Sequence, residues 1–465
     1  MNELNNDRYY SRWTQHVAFN FGNLALWAVN AAFSTWVFSF YFSALKLDAI
    51  YIGLAFVIWS LWNAVNDPLI GYLSDRTQTK IGRRKPYIIF GLLGVIVVEI
   101  VLWIPPVRTD IGLFWYLLGM LIAWDIFYTC LALPYDTLFP EMYLTEKQRA
   151  SSNTFKQLAS IIGLLAAYLL SGSIIVDIEV EKGYLINGIV ISLIVAITVI
   201  ISLIWGIKER SEFSLDHKHE FSFLQGLKYA FKNKGFIIYT IIYFFYEFFI
   251  LTIGTVIPLF GKHILDVDAF SASILTAILF IVGFITVPLW WLLHRKIGSK
   301  ISFIISIIFY VGTSIPLFFI TDYMQAAYTA GAMGLGFGGC LYYIYLIVAD
   351  VIDEDELKTG VRREGTFFGI TNFFMRLSMI LSILCITLVF EGTGWGEWTP
   401  DPGKTTEFGI RFLVAGFPAI SLMICLICLF VFPYSKKRVK EIKFQLDEMH
   451  QQKKEKVQHR HTENH

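Results

Sequence analysis

Long apolar stretches recur along the whole chain and are separated by short polar segments. A helix needs about 20 mostly apolar residues to cross the hydrocarbon core of a bilayer, and these stretches are long enough. The pattern therefore predicts twelve membrane-spanning α-helices. We place them at residues 15–43, 50–75, 86–104, 111–140, 152–175, 184–207, 235–261, 269–294, 299–320, 324–352, 366–390 and 407–433.

The composition agrees with a membrane protein. Of the 465 residues, 55% are hydrophobic and only 16% are charged, and the mean hydropathy is +0.57. Soluble domains carry about 25% charged residues, so this chain lacks the charge to cover its own surface in water. These values exclude a soluble enzyme and predict a multi-pass protein of the cell membrane. The sequence contains no catalytic constellation and no basic face that would bind nucleic acid.

The charges of the loops predict the orientation of the helices. Most Lys and Arg residues lie before the first helix, in every second loop and in the tail. The opposite loops hold few cations beside many acids, and cytoplasmic loops carry the excess of Lys and Arg in membrane proteins. We therefore expect both termini to be cytoplasmic.

The two halves of the chain contain similar basic turns. The turn after the second helix contains Lys80–Gly82, and the turn after the eighth contains Lys296–Gly298, each reading Lys-Ile-Gly. This similarity favours a parallel repeat of two six-helix bundles, although basic cytoplasmic turns alone would also produce it. The predicted division is an amino-terminal bundle at 1–207, a cytoplasmic central loop at 208–234, a carboxy-terminal bundle at 235–433 and a charged cytoplasmic tail at 434–465.

The second helix carries three polar residues on one face. Asn63, Asn66 and Asp67 stand at positions i, i+3 and i+4, which point in the same direction on a helix. Amide and carboxylate oxygens suit Na⁺, and a carboxylate can instead carry a proton. We therefore predict a cation site at these residues. If the cation is a metal ion, we expect Na⁺ at Asp67. A polar contact that merely joins two helices is the alternative.

Two acids on the fourth helix and a lysine on the fifth are candidates for substrate binding. Asp125 and Asp136 are 11 residues apart, so they point the same way about 16 Å apart along the axis. Lys156 lies a few residues into the fifth helix and approaches from the cytoplasmic side, as Asp136 does. An Asp136–Lys156 pair is therefore expected, either in the substrate site or as a purely structural ion pair.

The eleventh helix buries a charge that cannot be neutralised by losing a proton. Arg376 lies about 15 Å along that helix, and a guanidinium at this depth needs an anionic partner or a polar ligand. Thr371 and Asn372 lie about one turn away and are expected to line the same cavity. We assign these three residues to the substrate site.

Four segments resemble motifs of one transporter family. They are Asn63–Gly71, Gly82–Pro86, Leu133–Tyr135 and Ala349–Gly365. Together they are similar to the signatures of the glycoside–pentoside–hexuronide:cation symporters, the melibiose-permease-like family of the major facilitator superfamily. The resemblance implies the major facilitator fold and transport by alternating access around a site between two six-helix bundles.

The resemblance also implies roles for individual positions. Of the two helix-two acids that bind the coupling Na⁺ in the family, the second falls on Asp67 and the first on Asn63. The family's helix-four acid falls on Ala132 and is therefore missing here. The arginine that contacts sugar falls on Lys156, and the helix-eleven lysine near the cation site falls on Arg376. These departures leave Na⁺ coupling, H⁺ coupling and uncoupled transport open.

A charged network closes the cytoplasmic side in this family. The resemblance places it here on Asp350, Asp353, Glu356 and Arg362, and we count Arg84 of the Gly82–Pro86 motif with it.

The function expected from these features is cation-coupled symport of a sugar or glycoside. The family also resembles animal lysophosphatidylcholine transporters of the same fold, so a lysolipid or other amphiphile is the alternative substrate. An uncoupled facilitator and a non-transporting scaffold or receptor are further alternatives, and buried charges argue against the last. We expect a monomer whose partners are a small molecule and membrane lipids, without a cofactor beyond coupling Na⁺ or H⁺.

Overall fold

The computed structural model describes residues 13–77, 79–143, 146–208, 233–359, 364–446 and 448–449, and within them every regular element is a helix. The helices are α1 (Trp13–Ser39), α2 (Ala49–Arg76), α3 (Lys85–Val101), α4 (Asp110–Met142), α5 (Glu146–Leu165), α6 (Glu181–Ile201), α7 (Lys234–Ile264), α8 (Ala269–Ile297), α9 (Ser299–Ser314), α10 (Tyr323–Thr359) and α11 (Glu364–Thr393). The twelfth, α12, consists of Gly403–Arg411 and Phe417–Val431, joined by the π turn Phe412–Gly416. The predicted twelve-helix fold is thus confirmed.

Local sequence explains where several helices begin and end. α4 starts after Thr109, whose Oγ1 accepts a hydrogen bond from the backbone N–H of Gly112 at 3.3 Å, a typical N-cap. α3 has Pro86 in its first turn, where a missing N–H costs nothing. α8 and α9 are separated by Gly298 alone, which adopts φ +89°, a conformation that favours glycine.

Most helices are long enough to cross a bilayer. Among the described residues, 11 helices have the length and the apolar composition of a membrane span. The remaining helix, α3, has 17 residues. Because the chain returns through the membrane so often, the structure is that of a multi-pass membrane protein.

The predicted end of α10 was wrong by about two turns. α10 was expected to end near residue 352, but it continues to Thr359. The added turns are polar, and an ion pair of 3.0 Å between Lys358 and Glu354 at i and i+4 supports them. The acids predicted to lie in the loop after α10 therefore lie on its last turns.

The first part of the predicted tail forms a helix at 436–446, which we call α13. Its first turn is capped by Ser435, whose Oγ accepts from the N–H of Arg438 at 3.3 Å. Ile442 and Leu446 are buried at 1% and 7% exposure. These two apolar residues, one turn apart, explain why a segment so rich in charge folds onto the protein. The predicted central loop lies almost wholly outside the described residues, so the division into four segments stays a prediction.

The chain divides into two compact units. The first comprises Met1–Lys218, Gly254–Ala277 and Ile383–Ile410, and the second comprises His219–Ile253, Ile278–Ser382 and Arg411–His465. The first unit therefore combines α1 to α6 with one end of each of α7, α8, α11 and α12. The second unit contains the other ends of these four helices together with α9, α10 and α13.

Candidate functional site

The predicted polar face of α2 lies against α4. Asn63 donates a hydrogen bond through Nδ2 to Oδ1 of Asp125, and Asn66 donates through Nδ2 to Asp125 Oδ2 at 2.9 Å. The three side chains are almost completely buried, with exposures of 3%, 1% and 1%. The carboxylate of Asp125, predicted as a substrate ligand, thus lies among the residues predicted to bind a cation.

A hydroxyl group links this carboxylate to Asp67. Asn66 Nδ2 also donates to Thr129 Oγ1 at 3.1 Å, and Thr129 Oγ1 donates to Asp67 Oδ1 at 2.9 Å. Asp125 and Thr129 are four residues apart, so one face of α4 meets one face of α2. We call Asn63, Asn66, Asp67, Asp125 and Thr129 the α2–α4 cluster.

The donor set of the α2–α4 cluster fits a hard monovalent cation. It offers two carboxylates, two amides and a hydroxyl, all with oxygen ligands. The Oδ1 atom of Asn63 is buried and has no hydrogen-bond partner within the described part of the chain. Rotating either amide by half a turn exchanges a donor for an acceptor, so both can turn oxygen toward a cation. Among the residues described, no three His, Cys, Asp or Glu side chains are grouped to hold a metal.

The sequence did not predict that Thr129 and Asp125 belong to this cluster. The cluster was expected to contain a single acid, Asp67, because the family's helix-four acid falls on Ala132. Asp125 lies seven residues before Ala132, which is about two turns along the same face of α4. The i, i+4 spacing of Asp125 and Thr129 was the signal that could have revealed this.

The predicted pair of Asp136 and Lys156 is present. Lys156 Nζ lies 3.2 Å from Asp136 Oδ1, and the two side chains are 29% and 52% exposed. Lys156 also lies 5.5 Å above the ring of Phe139. Because both charged groups are partly exposed, this ion pair contributes little to stability and its partners remain accessible.

Arg84, predicted for the gate, is packed against the same helix. The residue is 6% exposed, and its Nη1 donates to Oγ1 of Thr137, the residue after Asp136. Arg84 thus fastens the start of α3 to α4 within the first unit.

In the second unit, Arg376 has an acidic neighbour. Glu247 on α7 lies close enough to Arg376 on α11 for an electrostatic interaction. Glu247 is therefore the acidic group in the second unit that is placed to interact with this guanidinium. Asn372 is exposed, whereas Thr371 is buried, so only Asn372 shares an accessible face with Arg376.

The predicted gate acids lie at the end of α10. Asp350 is 4% exposed and accepts a hydrogen bond from Ser299 Oγ at 3.2 Å. Glu356 is 3% exposed, and Asp353 is half-buried. Arg362 lies outside the described residues, so the proposed network stays a prediction.

At the opposite end of α2, the first unit joins segments from both halves of the chain. The backbone N–H of Ala49 donates to Gly396 O at 3.0 Å. Lys262 Nζ lies 3.2 Å from Asp177 Oδ1 and 3.5 Å from Glu179 Oε1. We call the loops at 45–48, 176–180, 265–268 and 394–402 the distal junction.

An acidic group marks the distal junction. Asp48 directly precedes α2, and partial burial, followed by the nearby acids Asp110, Glu397 and Glu391, raises the pKa of Asp48 above its usual value. The environment of Asp48 in the distal junction therefore stabilises its protonated form relative to its ionised form.

Comparison with known proteins decides the family. Over residues 18–436, the chain matches the family described as "MFS/sugar transport protein". The chain belongs to this family. The resemblance drawn from the sequence motifs is therefore confirmed, and the protein is a multi-pass membrane transporter of the major facilitator type.

Individual relatives are distant but extend over nearly the whole transporter. The uncharacterized symporter sll1374 of Synechocystis sp. is 22% identical over 86% of this chain and 90% of its own length. The sodium-dependent lysophosphatidylcholine symporter 1 of Gallus gallus is 21% identical over 88% of this chain and 84% of its own length. The solved structure of a D-xylose-proton symporter has a TM-score of 0.66 at 15% identity, and the match covers 91% of this chain and 98% of that one. This last likeness shows the fold alone.

Proposed function

We propose that this transporter is a Na⁺-coupled symporter whose cation binds at the α2–α4 cluster. The observation that carries the proposal is the placement of two carboxylates, the buried Asp125 and the half-buried Asp67, in one network with two amides and a hydroxyl. A cation bound by both carboxylates offsets the repulsion between two like charges in a site that is partly shielded from water.

Sodium is favoured over a proton by the ligands that surround the acids. A proton needs one carboxylate, whereas this cluster adds amide and hydroxyl oxygens that complete the shell of a dehydrated ion. The Gallus gallus relative is named a sodium-dependent symporter, which supports the same choice.

For the substrate we propose a sugar or glycoside. Each unit offers polar groups that can bind hydroxyls: Asp136 and Lys156 in the first, and Glu247, Asn372 and Arg376 in the second. Sites for polar ligands contain a few such polar groups beside apolar and aromatic side chains. A lysolipid is the second candidate, because the Gallus gallus relative is named for lysophosphatidylcholine, and Arg376 or Lys156 can hold its phosphate.

The transport cycle is alternating access, in which the distal junction opens and closes. The contacts between its loops, from Ala49 to Gly396 and from Lys262 to Asp177, are those that we expect to break when that end opens. Binding of Na⁺ draws α2 and α4 together, and since α2 begins in the distal junction, the cluster is placed to influence its opening.

The test is uptake by proteoliposomes that contain the purified transporter. Labelled sugars, glycosides and lysolipids are offered in turn, with an inward Na⁺ gradient or an inward H⁺ gradient imposed alone. We expect accumulation of a sugar or glycoside with the Na⁺ gradient only. Accumulation of lysophosphatidylcholine instead would replace the substrate class, and accumulation driven by H⁺ without Na⁺ would refute Na⁺ coupling.

A further inference from the structure

The end of α10 is tied to the chain that follows α12. Glu354 accepts a hydrogen bond from the hydroxyl of Tyr434 at 2.7 Å and pairs with Arg438 Nη2 at 3.0 Å. Lys358 contacts the same carboxylate at 3.0 Å. The Glu354 side chain is only 12% exposed, so these three donors serve a largely buried charge.

A second anchor fixes the start of α13 to the end of α8. Lys436 Nζ donates to the carbonyl oxygens of Arg295 at 3.1 Å and Lys296 at 2.6 Å. The last carbonyls of a helix have no partner inside the helix, and a lysine is a common partner for them. A further hydrogen bond joins α9 to the segment before α13: Lys300 Nζ at the start of α9 donates to Phe432 O at 2.7 Å.

The two faces of α13 differ in a way that fits a docked helix. Ile442 and Leu446 are buried, whereas Lys437 and Lys440 are exposed. Of the basic residues that follow α12, Lys436 and Arg438 therefore bind the protein, and Lys437 and Lys440 remain free to contact lipid headgroups.

We infer that α13 is a strap and that Glu354 is the positioning residue through which it holds the last turns of α10. Those turns carry Asp350, Asp353 and Glu356, the acids predicted for the gate. With α13 docked, the carboxylate of Glu354 is fixed and the orientation of the neighbouring acids is fixed with it. The inferred consequence for the gate rests on the proposed transport function, whereas the strap itself does not.

The chemistry of the anchor keeps the strap bonded near neutral pH. Burial and then the hydrogen bond to Glu354 raise the pKa of Tyr434 well above its usual value. The hydrogen bond to Glu354 likewise raises the pKa of Arg438. Both donors thus keep their protons near neutral pH. Substitutions that remove the charge of Arg438 or Glu354 should therefore weaken the strap.

Hydrogen exchange of the full-length protein tests the strap. Arg438→Gln removes one charged bond to Glu354, and the matched control Lys437→Gln removes an exposed charge from the same turn. We expect amide exchange in 436–446 and in 350–358 to rise about tenfold or more in Arg438→Gln, since a hydrogen bond to a charged group corresponds to a factor of that order. The control should match the parent protein, and Arg438→Lys should restore most of the protection.

Exchange that rises in 436–446 but not in 350–358 would overturn the positioning role of Glu354. Unchanged exchange in both segments would overturn the strap. Uptake kinetics then test the link to the gate. Because the strap does not touch substrate, Arg438→Gln should lower the maximal rate with an unchanged apparent KM, and an unchanged rate would refute the link. A parent protein that transports nothing would instead refute the proposed function.

Discussion

The substitution Asp125→Asn tests the cation site most sharply, because it removes a charge and preserves the shape of the side chain. The carboxylate accepts one hydrogen bond from Asn63 and one from Asn66. An amide at position 125 offers one oxygen, so its NH₂ group would face one of these two donors. Rotation of the Asn63 amide can turn its Oδ1 atom toward the new NH₂ group, so we expect the sodium-free protein to lose less than the about 1–3 kcal/mol that an unsatisfied buried donor costs.

We expect Asp125→Asn to weaken Na⁺ binding more than it weakens the folded state. Two opposite unit charges about 4 Å apart attract each other by about 4 kcal/mol at an effective dielectric constant of 20. If desolvation offsets half of this energy, loss of the carboxylate still raises the Kd for Na⁺ about 30-fold. Isothermal titration of the purified protein with NaCl, at constant ionic strength kept by choline chloride, measures this change directly.

Asp136→Asn provides the matched control for Asp125→Asn. It makes the same chemical change on the same helix, but at a half-exposed acid that pairs with Lys156. We expect its Kd for Na⁺ to equal that of the parent protein. Normal Na⁺ affinity in Asp125→Asn, or a loss of affinity in Asp136→Asn alone, would refute the assignment of Asp125 to the cation site.

Three further predictions concern other parts of the molecule. Asp67→Asn should abolish gradient-driven accumulation while sparing downhill exchange, measured in proteoliposomes with and without a Na⁺ gradient; accumulation that survives would place the cation elsewhere. Arg376→Ala should reduce uptake at least about tenfold, as expected for the loss of a charged contact, with normal expression and monodispersity; normal uptake would make Arg376 a structural partner of Glu247. The raised pKa of Asp48 means that the folded protein holds this proton more tightly than the unfolded chain, so stability increases as pH falls through that raised value and is lost as pH rises. Asp48→Asn should therefore reduce the dependence of the melting temperature on pH across the titration range of this carboxyl, and an unaltered profile would contradict this origin.

The helices were predictable because each is coded locally. Apolar runs of sufficient length have few alternatives to a helix in a bilayer, since every backbone N–H and C=O must be paired inside the segment. The end of α10 was misplaced because its last turns are polar and are held by the Glu354–Lys358 pair and by the contact with α13. The hydropathy of the sequence reports neither the ion pair nor the contact with α13.

The candidate site was predictable only where its residues share one helix. Asn63, Asn66 and Asp67 follow from helical spacing alone. Their contact with Asp125 and Thr129 depends on how α2 packs against α4, which no spacing within one helix reports. The interaction between Glu247 and Arg376 is of the same kind, since the two residues are more than a hundred positions apart.

Simultaneous measurement of radioactive Na⁺ entry and substrate uptake in the same proteoliposomes tests Na⁺ coupling most directly. With the substrate identified by the panel of sugars, glycosides and lysolipids, we predict that Na⁺ enters only when the substrate is present and in a fixed ratio to it. The double variant Asp67→Asn/Asp125→Asn should then carry substrate down its own gradient without Na⁺. Substrate uptake by the parent protein with no accompanying Na⁺ entry would contradict the assignment of the α2–α4 cluster as a coupling site.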